Sequence, residues 1–405
     1  MAGDRQYVPA SEFCASVRDG THDSPKPVER GRKLVTSRHI VGGRLQLSEA
    51  YLISTEDYEA INKRSKVDCW DVLVSMIGTV GEACLIKEEP DFAIKNIGLF
   101  KTKSEQEGRW LYYYLRSPEA QQKIRAHSRG TTQQYIPLGA LRDFTIPIPD
   151  NQEEQLAITS VLGALDDKIE LNRRMNETLE ALAQSLFKSW FVDATQSALP
   201  KGWRESTIRE LASNIQYGLT QSASTEPVGP RFLRITDIQG GRVDWGNVPY
   251  CKVSPEEHAR YQIKPGDVLV ARTGASTGEN IYLPVAPNAV FASYLVRFQF
   301  AEPSMARLVG AFMRTPAYFE FVAGCIGGSA QPNASAQVLA GAQLAVPPPE
   351  LAKRFADTVA PFDKRIAANN EESRTLAALR DALLPKLLSG ELGVPVASEL
   401  VKAIA

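Results

Sequence analysis

The four residues DVLV occur at Asp71–Val74 and again at Asp267–Val270. Each copy runs into a glycine-bearing loop, SMIGTVGE (75–82) in the first and ARTGASTGE (271–279) in the second. Both read as a strand followed by a tight turn. Sliding the chain against itself by about 196 to 198 residues brings further segments into line. SEFCASVRDGT (11–21) lies over RELASNIQYGL (209–219), and LVTSRHIVGGRL (34–45) over LRITDIQGGRV (233–243). LRSPEAQ (115–121) matches MRTPAYF (313–319), and RGTTQQYI (129–136) matches GGSAQPNA (327–334). No single match is strong, but their shared order and nearly constant offset mark a duplication.

Each copy divides in two. Short β-rich runs with turn signals such as Gly42-Gly43, Gly240-Gly241 and Pro265-Gly266 fill 1–148 and 196–346. A proline-bearing strand then leads into a long helical tract, within 149–195 in the first copy and 347–405 in the second. The expected fold class is α+β: two similar mixed α/β domains separated by two long helices packed as an antiparallel coiled coil, with pseudo-twofold repetition. Forty residues of helix make a rod of about 60 Å. Pro361 is expected to kink or delay the second rod near its start.

The helical tracts carry a seven-residue pattern. One column reads Ile158, Leu165, Asn172, Leu179, Leu186, and a partner column three residues on reads Val161, Lys168, Met175, Leu182, Ser189. Shifting by 197 gives Phe355, Phe362, Asn369, Leu376, Leu383. With Ile169, Ile366 and Leu379, these are the expected seam and subunit-interface residues. The asparagine at the same step of both seams is either a polar residue tolerated where the seam frays or a register-setting polar layer.

Composition bounds the function. At 405 residues with 43% hydrophobic and 23% charged residues, the chain reads as two or three soluble globular domains. Its longest apolar runs are strand-sized, and MAGDRQYVPASEF shows no secretory pattern, so no membrane span and a cytoplasmic setting are expected. The five cysteines (Cys14, Cys69, Cys84, Cys251, Cys325) are scattered, which argues against a disulfide framework or a zinc site. GASTGE lacks the lysine of a phosphate-binding loop, and His22, His39, His127 and His258 are isolated. No catalytic or metal-binding constellation stands out, which favours a binding protein over an enzyme.

The polar loops are the candidate binding elements. Gly, Thr, Gln, Asn and Arg suit hydrogen bonding to base edges and phosphates, although the same residues fill ordinary surface loops. In the first copy the candidates are Thr21, His22, Asp23 and Lys26, then Thr36, Ser37 and Arg38, then Ser75 and Thr79. Arg129, Thr131, Thr132, Gln133 and Gln134 complete that set. In the second copy they are Tyr217 and Thr220, then Arg234, Thr236 and Asp237, then Arg272, Thr273, Ser276 and Thr277. Ser329, Gln331 and Asn333 close the second set. The net charge of −1 gives a nucleic-acid partner no support by itself, yet each globular unit holds two more basic than acidic residues and the remainder is acidic. That suits a DNA reader that borrows phosphate contacts from partners.

With these segments in view, the chain resembles the specificity subunit of type I restriction-modification enzymes along nearly its whole length. DGTHDSPKP, LVTSRHI, INKRSKV, SMIGTVGE and FAIKNIGLFK resemble a target-recognition domain of that family. NQEEQLAITSVLGALDDKIELNRRMNETLEALAQSLFKSWF is similar to its central spacer. RITDIQGGRVDW and IKPGDVLVARTGASTGE resemble the second recognition domain, and LRDALLPKLLSGEL the C-terminal end. The resemblance implies that 1–148 and 196–346 each read one half of a bipartite, asymmetric site in double-stranded DNA. It implies helices that set the unread gap and dock two methylation subunits, with restriction/translocase subunits joining the complex. The chain would then be non-catalytic, with no cofactor of its own; S-adenosylmethionine, ATP and Mg are expected on partner subunits. Alternatives are the recognition part of a fused restriction-methylation enzyme, or a coiled-coil scaffold that binds protein ligands. Ala330, Pro332 and Ala334 leave the second reader's loop poor in hydrogen-bonding groups, which moves its expected contacts toward Arg234, Asp237 and Arg272.

Overall fold

The computed structural model describes residues 5–130, 133–149, 151–326 and 333–402. Contacts divide the chain into two compact units, 1–170 with 375–405 and 171–374. Each unit thus combines one globular repeat with a segment of both long helices.

In the first unit DVLV supplies the strand Val72–Ser75, an inner strand of a four-stranded antiparallel sheet. The sheet order is Ser16–Asp19, Ile97–Lys101, Val72–Ser75, Ala83–Leu85. Val72 and Val74 face one apolar cluster while Leu73 faces another, and all three are fully buried. Alternate side chains of a strand point to opposite faces, so burial on both sides explains an unbroken apolar run. The second unit repeats this with Asn214–Tyr217, Leu295–Gln299, Val268–Ala271 and Asn280–Tyr282. There Val268 and Val270 face one cluster and Leu269 the other.

The accessory strands repeat as well. Arg32–Thr36 pairs in parallel with Phe92–Lys95, as Arg231–Leu233 does with Ala289–Phe291. Arg5–Pro9 pairs antiparallel with Thr145–Pro149, as Arg204–Thr207 does with Gln343–Val346. Two helices follow each large sheet, Glu105–Arg116 with Pro118–His127, and Pro303–Phe312 with Pro316–Ile326. In the first unit, Trp110 is fully buried and donates its Nε1–H to the Pro147 carbonyl at 2.8 Å.

The long helices span Gln152–Phe187 and Pro349–Ser389. Within the first unit, Arg380 pairs with Asp166 at 2.6 Å, and Arg5 ties Glu154 to the Leu388 carbonyl. Within the second unit, Asn172 meets Glu372, Asn176 meets Asn370, and Phe187 meets Phe355. As numbers rise along one helix they fall along the other, so the segments pack antiparallel in each unit.

Pro361 neither delays nor ends the second helix, which begins at Pro349 and runs through Pro361 and Pro385. The hydrogen bond lost at Pro361 is offset by packing around it: Phe355 and Val359 are fully buried against Phe187 and Phe191, with Phe362 alongside. The partner column of the seam also differs from expectation. Leu182 is 44% exposed, whereas Ala183 is buried. The inward column lies four residues, not three, after the first: Leu162, Ile169, Asn176 and Ala183.

Leu165, Leu376 and Leu383 are buried in the first unit's core, with Ile169 and Leu379 packed against it. Leu186 and Phe362 pack in the second unit's aromatic cluster. Leu179 and Ile366 are partly exposed.

Asn172 and Asn369 are 0% and 1% exposed and form a bonded layer instead of a frayed step. Asn172 Nδ2 donates to Glu372 Oε2 at 2.8 Å and Asn369 Nδ2 to Asn176 Oδ1 at 2.7 Å.

Candidate nucleic-acid interface

Antiparallel register decides which loops meet. In the first unit, the C-terminal ends of Ser16–Asp19 and Val72–Ser75 lie beside the N-terminal end of Ile97–Lys101. The loop after Asp19, the turn before Ile97 and the loop after Ser75 therefore emerge from one edge of the sheet. Tyr135 bridges to Ile77 and to Arg129, which brings Arg129 and Tyr135 to the same edge. Gly20 shows why that edge is tight: an added Cβ there would sit 2.4 Å from the Ile94 carbonyl oxygen.

Several sequence candidates on the loops of this unit are exposed: His22, Asp23, Lys26, Arg38, Thr79, Arg129, Gln133 and Gln134. His22 nonetheless lies between Asn96 Oδ1 at 2.8 Å and the buried Asp19 carboxylate at 2.9 Å, and Arg64 completes the clamp on Asp19. Thr21 accepts the Asp23 N–H at 3.1 Å, closing a local turn.

His39 lies near Arg38 in a different way. The Thr36 N–H donates to its Nδ1 at 2.8 Å, so the ring proton sits on Nε2, bonded to the Glu49 backbone. Burial, then the charge of Arg38, lowers the His39 pKa, in keeping with a neutral ring. The 3.2 Å approach of Arg38 Nε to His39 Nε2 therefore sets two N–H groups side by side, and the Arg38 guanidinium keeps its donors.

Two candidates are corrected. Ser75 is fully buried: its hydroxyl bonds the Thr79 carbonyl and accepts the Glu82 N–H at 2.9 Å, so it closes the glycine loop from inside. Ser37 is 8% exposed, donating to the Asn96 carbonyl and accepting the Met76 N–H. Both are struts beneath the edge, because their positions place the hydroxyls against backbone that needs partners. Thr131 and Thr132 lie outside the described residues.

The second unit forms the equivalent edge with other chemistry. Arg234 forks onto Asp237 through Nε and Nη2 at 3.0 and 2.8 Å, and that bond, opposed by burial, raises its pKa. Thr236 is exposed beside this pair, and Ser276 accepts from Gln239 at 2.9 Å. The Thr277 hydroxyl bonds the Gly274 carbonyl, and the Thr273 hydroxyl is buried with no partner among the described residues. Thr220 and Asn333 are exposed, and Asn333 meets Arg272. The Arg272 guanidinium lies over the Tyr217 ring, 4.9 Å from its centroid. Ser329 and Gln331 lie outside the described residues.

Sequence reasoning passed over Asn96 and Tyr294, which occupy the same step before the matching strands Ile97–Lys101 and Leu295–Gln299. Asn96 takes a left-handed backbone (φ 53°), and Tyr294 is 57% exposed. The constant offset of the repeat was the available signal for them.

The sequence pattern described as "Type I restriction modification DNA specificity domain" matches residues 29–181. The MjaIX specificity subunit of Methanocaldococcus jannaschii is 23% identical over 316 residues, spanning 70% of this chain and 69% of its own. The HindI specificity subunit of Haemophilus influenzae is 24% identical over 340 residues, spanning 67% of this chain and 74% of its own. In fold, the chain is similar to the type I restriction-modification S subunit from M. genitalium, with a TM-score of 0.52 at 16% identity over 95% of this chain and 96% of that one. Duplicated sheets and paired helices go with these similarities: residues 29–181 carry the type I restriction-modification DNA specificity domain pattern, and the chain as a whole is similar to type I specificity subunits.

Proposed function

We propose that this chain is the DNA-recognition subunit of a type I restriction-modification complex, each globular repeat reading one half of a bipartite site. One observation carries the reading. Two sheets of identical strand order, each with matching accessory strands, present chemically different loops from the same edge. A scaffold held constant under varied polar loops is what reading two different base sequences requires. His22, Arg38, Gln133 and Gln134 stand at one edge, and Tyr217, Arg272, Asn333 and Tyr294 at the other.

The paired helices set the unread gap and dock two methylation subunits, and restriction/translocase subunits join the same complex. S-adenosylmethionine, ATP and Mg belong to those partners. Adenine methylation requires the target base to leave the stack, which the methylation subunits perform once this chain has chosen the site.

The test is modified-base sequencing of the host genome with and without the gene. A two-part methylated motif that vanishes on deletion is the expected outcome. Exchanging residues 196–346 for another reader should then change one half of the motif and leave the other intact. Change in both halves with the fold preserved would refute the assignment of one reader to each half.

A further inference from the structure

The geometry points to Arg272 as a guanine reader: a preorganised fork that selects a G in the half-site recognised by the second unit. The inference rests on the DNA-recognition reading and goes beyond it by naming one residue and its base.

Arg272 is held from several sides. Its N–H donates to the Tyr294 carbonyl at 3.0 Å and its carbonyl accepts the Ala334 N–H at 2.8 Å, which fixes the backbone. Its guanidinium stacks on Tyr217, and the Tyr217 hydroxyl accepts the Ala336 N–H at 2.9 Å, so the platform is itself anchored. Nη2 donates to Asn333 Oδ1 at 3.3 Å. Among the described residues, Nε is buried without a partner and Nη1 has no acceptor. A guanidinium carries five N–H donors in a planar fork, so Nη1 and the second Nη2 proton remain for a ligand.

Neighbouring arginines of this unit lack that freedom. Arg234 is forked onto Asp237, and Arg297 is buried on Asp267. Arg314 bonds Glu279 and two backbone carbonyls, and Arg231 bonds the Gly246 and Val248 carbonyls.

A planar, pre-stacked fork suits two acceptors in one plane, on a phosphate or on a base edge, and only the base edge gives a loss confined to one position. Guanine offers O6 and N7 in that arrangement, while adenine places a donor beside N7. Asn333, whose Oδ1 is engaged by Arg272, is poorly set to grip adenine through both atoms of its amide.

The test uses the full chain co-expressed with the methylation subunits of its own system, read by modified-base sequencing. Wild-type protein, R272A and R272K are compared, with co-purification to verify assembly. Lysine keeps the charge but cannot fork, so both variants should lose discrimination at one G of the second unit's half-site by roughly 5- to 150-fold. The other half-site should be unchanged. Full specificity in R272K, equal loss of methylation at every position, or a second half-site without G would overturn the assignment. Should R272A fail to assemble, R272K decides. A wild-type complex with no bipartite motif would refute the DNA-recognition reading, and this inference with it.

Discussion

The aspartate that opens each DVLV repeat is a structural residue. Asp267 is 2% exposed, accepts the Lys264 N–H at 2.9 Å and the Gln299 amide at 2.8 Å, and pairs with buried Arg297 at 3.3 Å. Replacing it with alanine leaves a buried guanidinium uncompensated, and the expected loss is about 3–5 kcal/mol in urea unfolding. Asp71 has a softer setting: burial raises its pKa, and Lys101 at 2.7 Å pulls it back. His39 gives a pH dependence of known sign. Its folded pKa lies below the unfolded value, so as pH falls through about 6.5 the unfolded chain takes up the proton first and stability drops. The urea midpoint of wild type should fall between pH 7.5 and 5.5 more steeply than that of His39→Asn, and equal slopes would remove His39 as the cause. Gln133 and Gln134 are exposed at the first unit's edge. Their joint replacement by alanine should relax one or two base positions, at about 1–3 kcal/mol for each bidentate contact, in a methylation assay on permuted sites.

At the scale of elements, burial separates residues that a heptad count places together. Leu165 is 1% exposed inside the first unit, whereas Leu182 is 44% exposed. Leu165→Asp should cost more than about 3 kcal/mol, since it buries a carboxylate with no partner. Leu182→Asp should stay within about 0.5 kcal/mol. Equal losses in the two variants would mean that the inward column has been misplaced. The asparagine layer shows how the same helices carry polar groups: Asn172, Asn176 and Asn369 bond across the pair, so their burial is compatible with a packed seam. A single replacement that strands one partner is more costly than the mean worth of such a bond. The turns Gly42-Gly43 and Gly240-Gly241 position a following arginine on a long helix, Arg44 on Glu170 in the first unit and Arg242 on Glu177 and Glu180 in the second.

For the whole molecule, the chain order and the compact units do not coincide. Residues 375–405 belong with the first repeat, and Leu384, Leu387, Leu388 and Ala397 lie in that unit's core. The helix Val394–Lys402 covers part of it, with Ala397 fully buried. Truncation after Gly390 should therefore speed amide hydrogen exchange in the first unit and leave the second unit's sheet as protected as before. Loss of protection in the second unit alone would contradict the packing described.

The duplication, the α+β class, the long helices and the polar loops could all be read from the residues, because each is written in local pattern: strand-length apolar runs, seven-residue spacing, glycine turns and a constant offset. The tertiary structure alone decided which side each hydroxyl or leucine faces. Ser37 and Ser75 have the composition of surface loop residues, yet register turns them onto buried backbone. Leu182 fits a heptad on paper and points to solvent. Arg234 and Arg272 look alike in sequence, but one is neutralised by Asp237 and the other is stacked with donors to spare. Local sequence sets periodicity, whereas burial and pairing come from residues a hundred or more positions away, and only the folded chain brings those together.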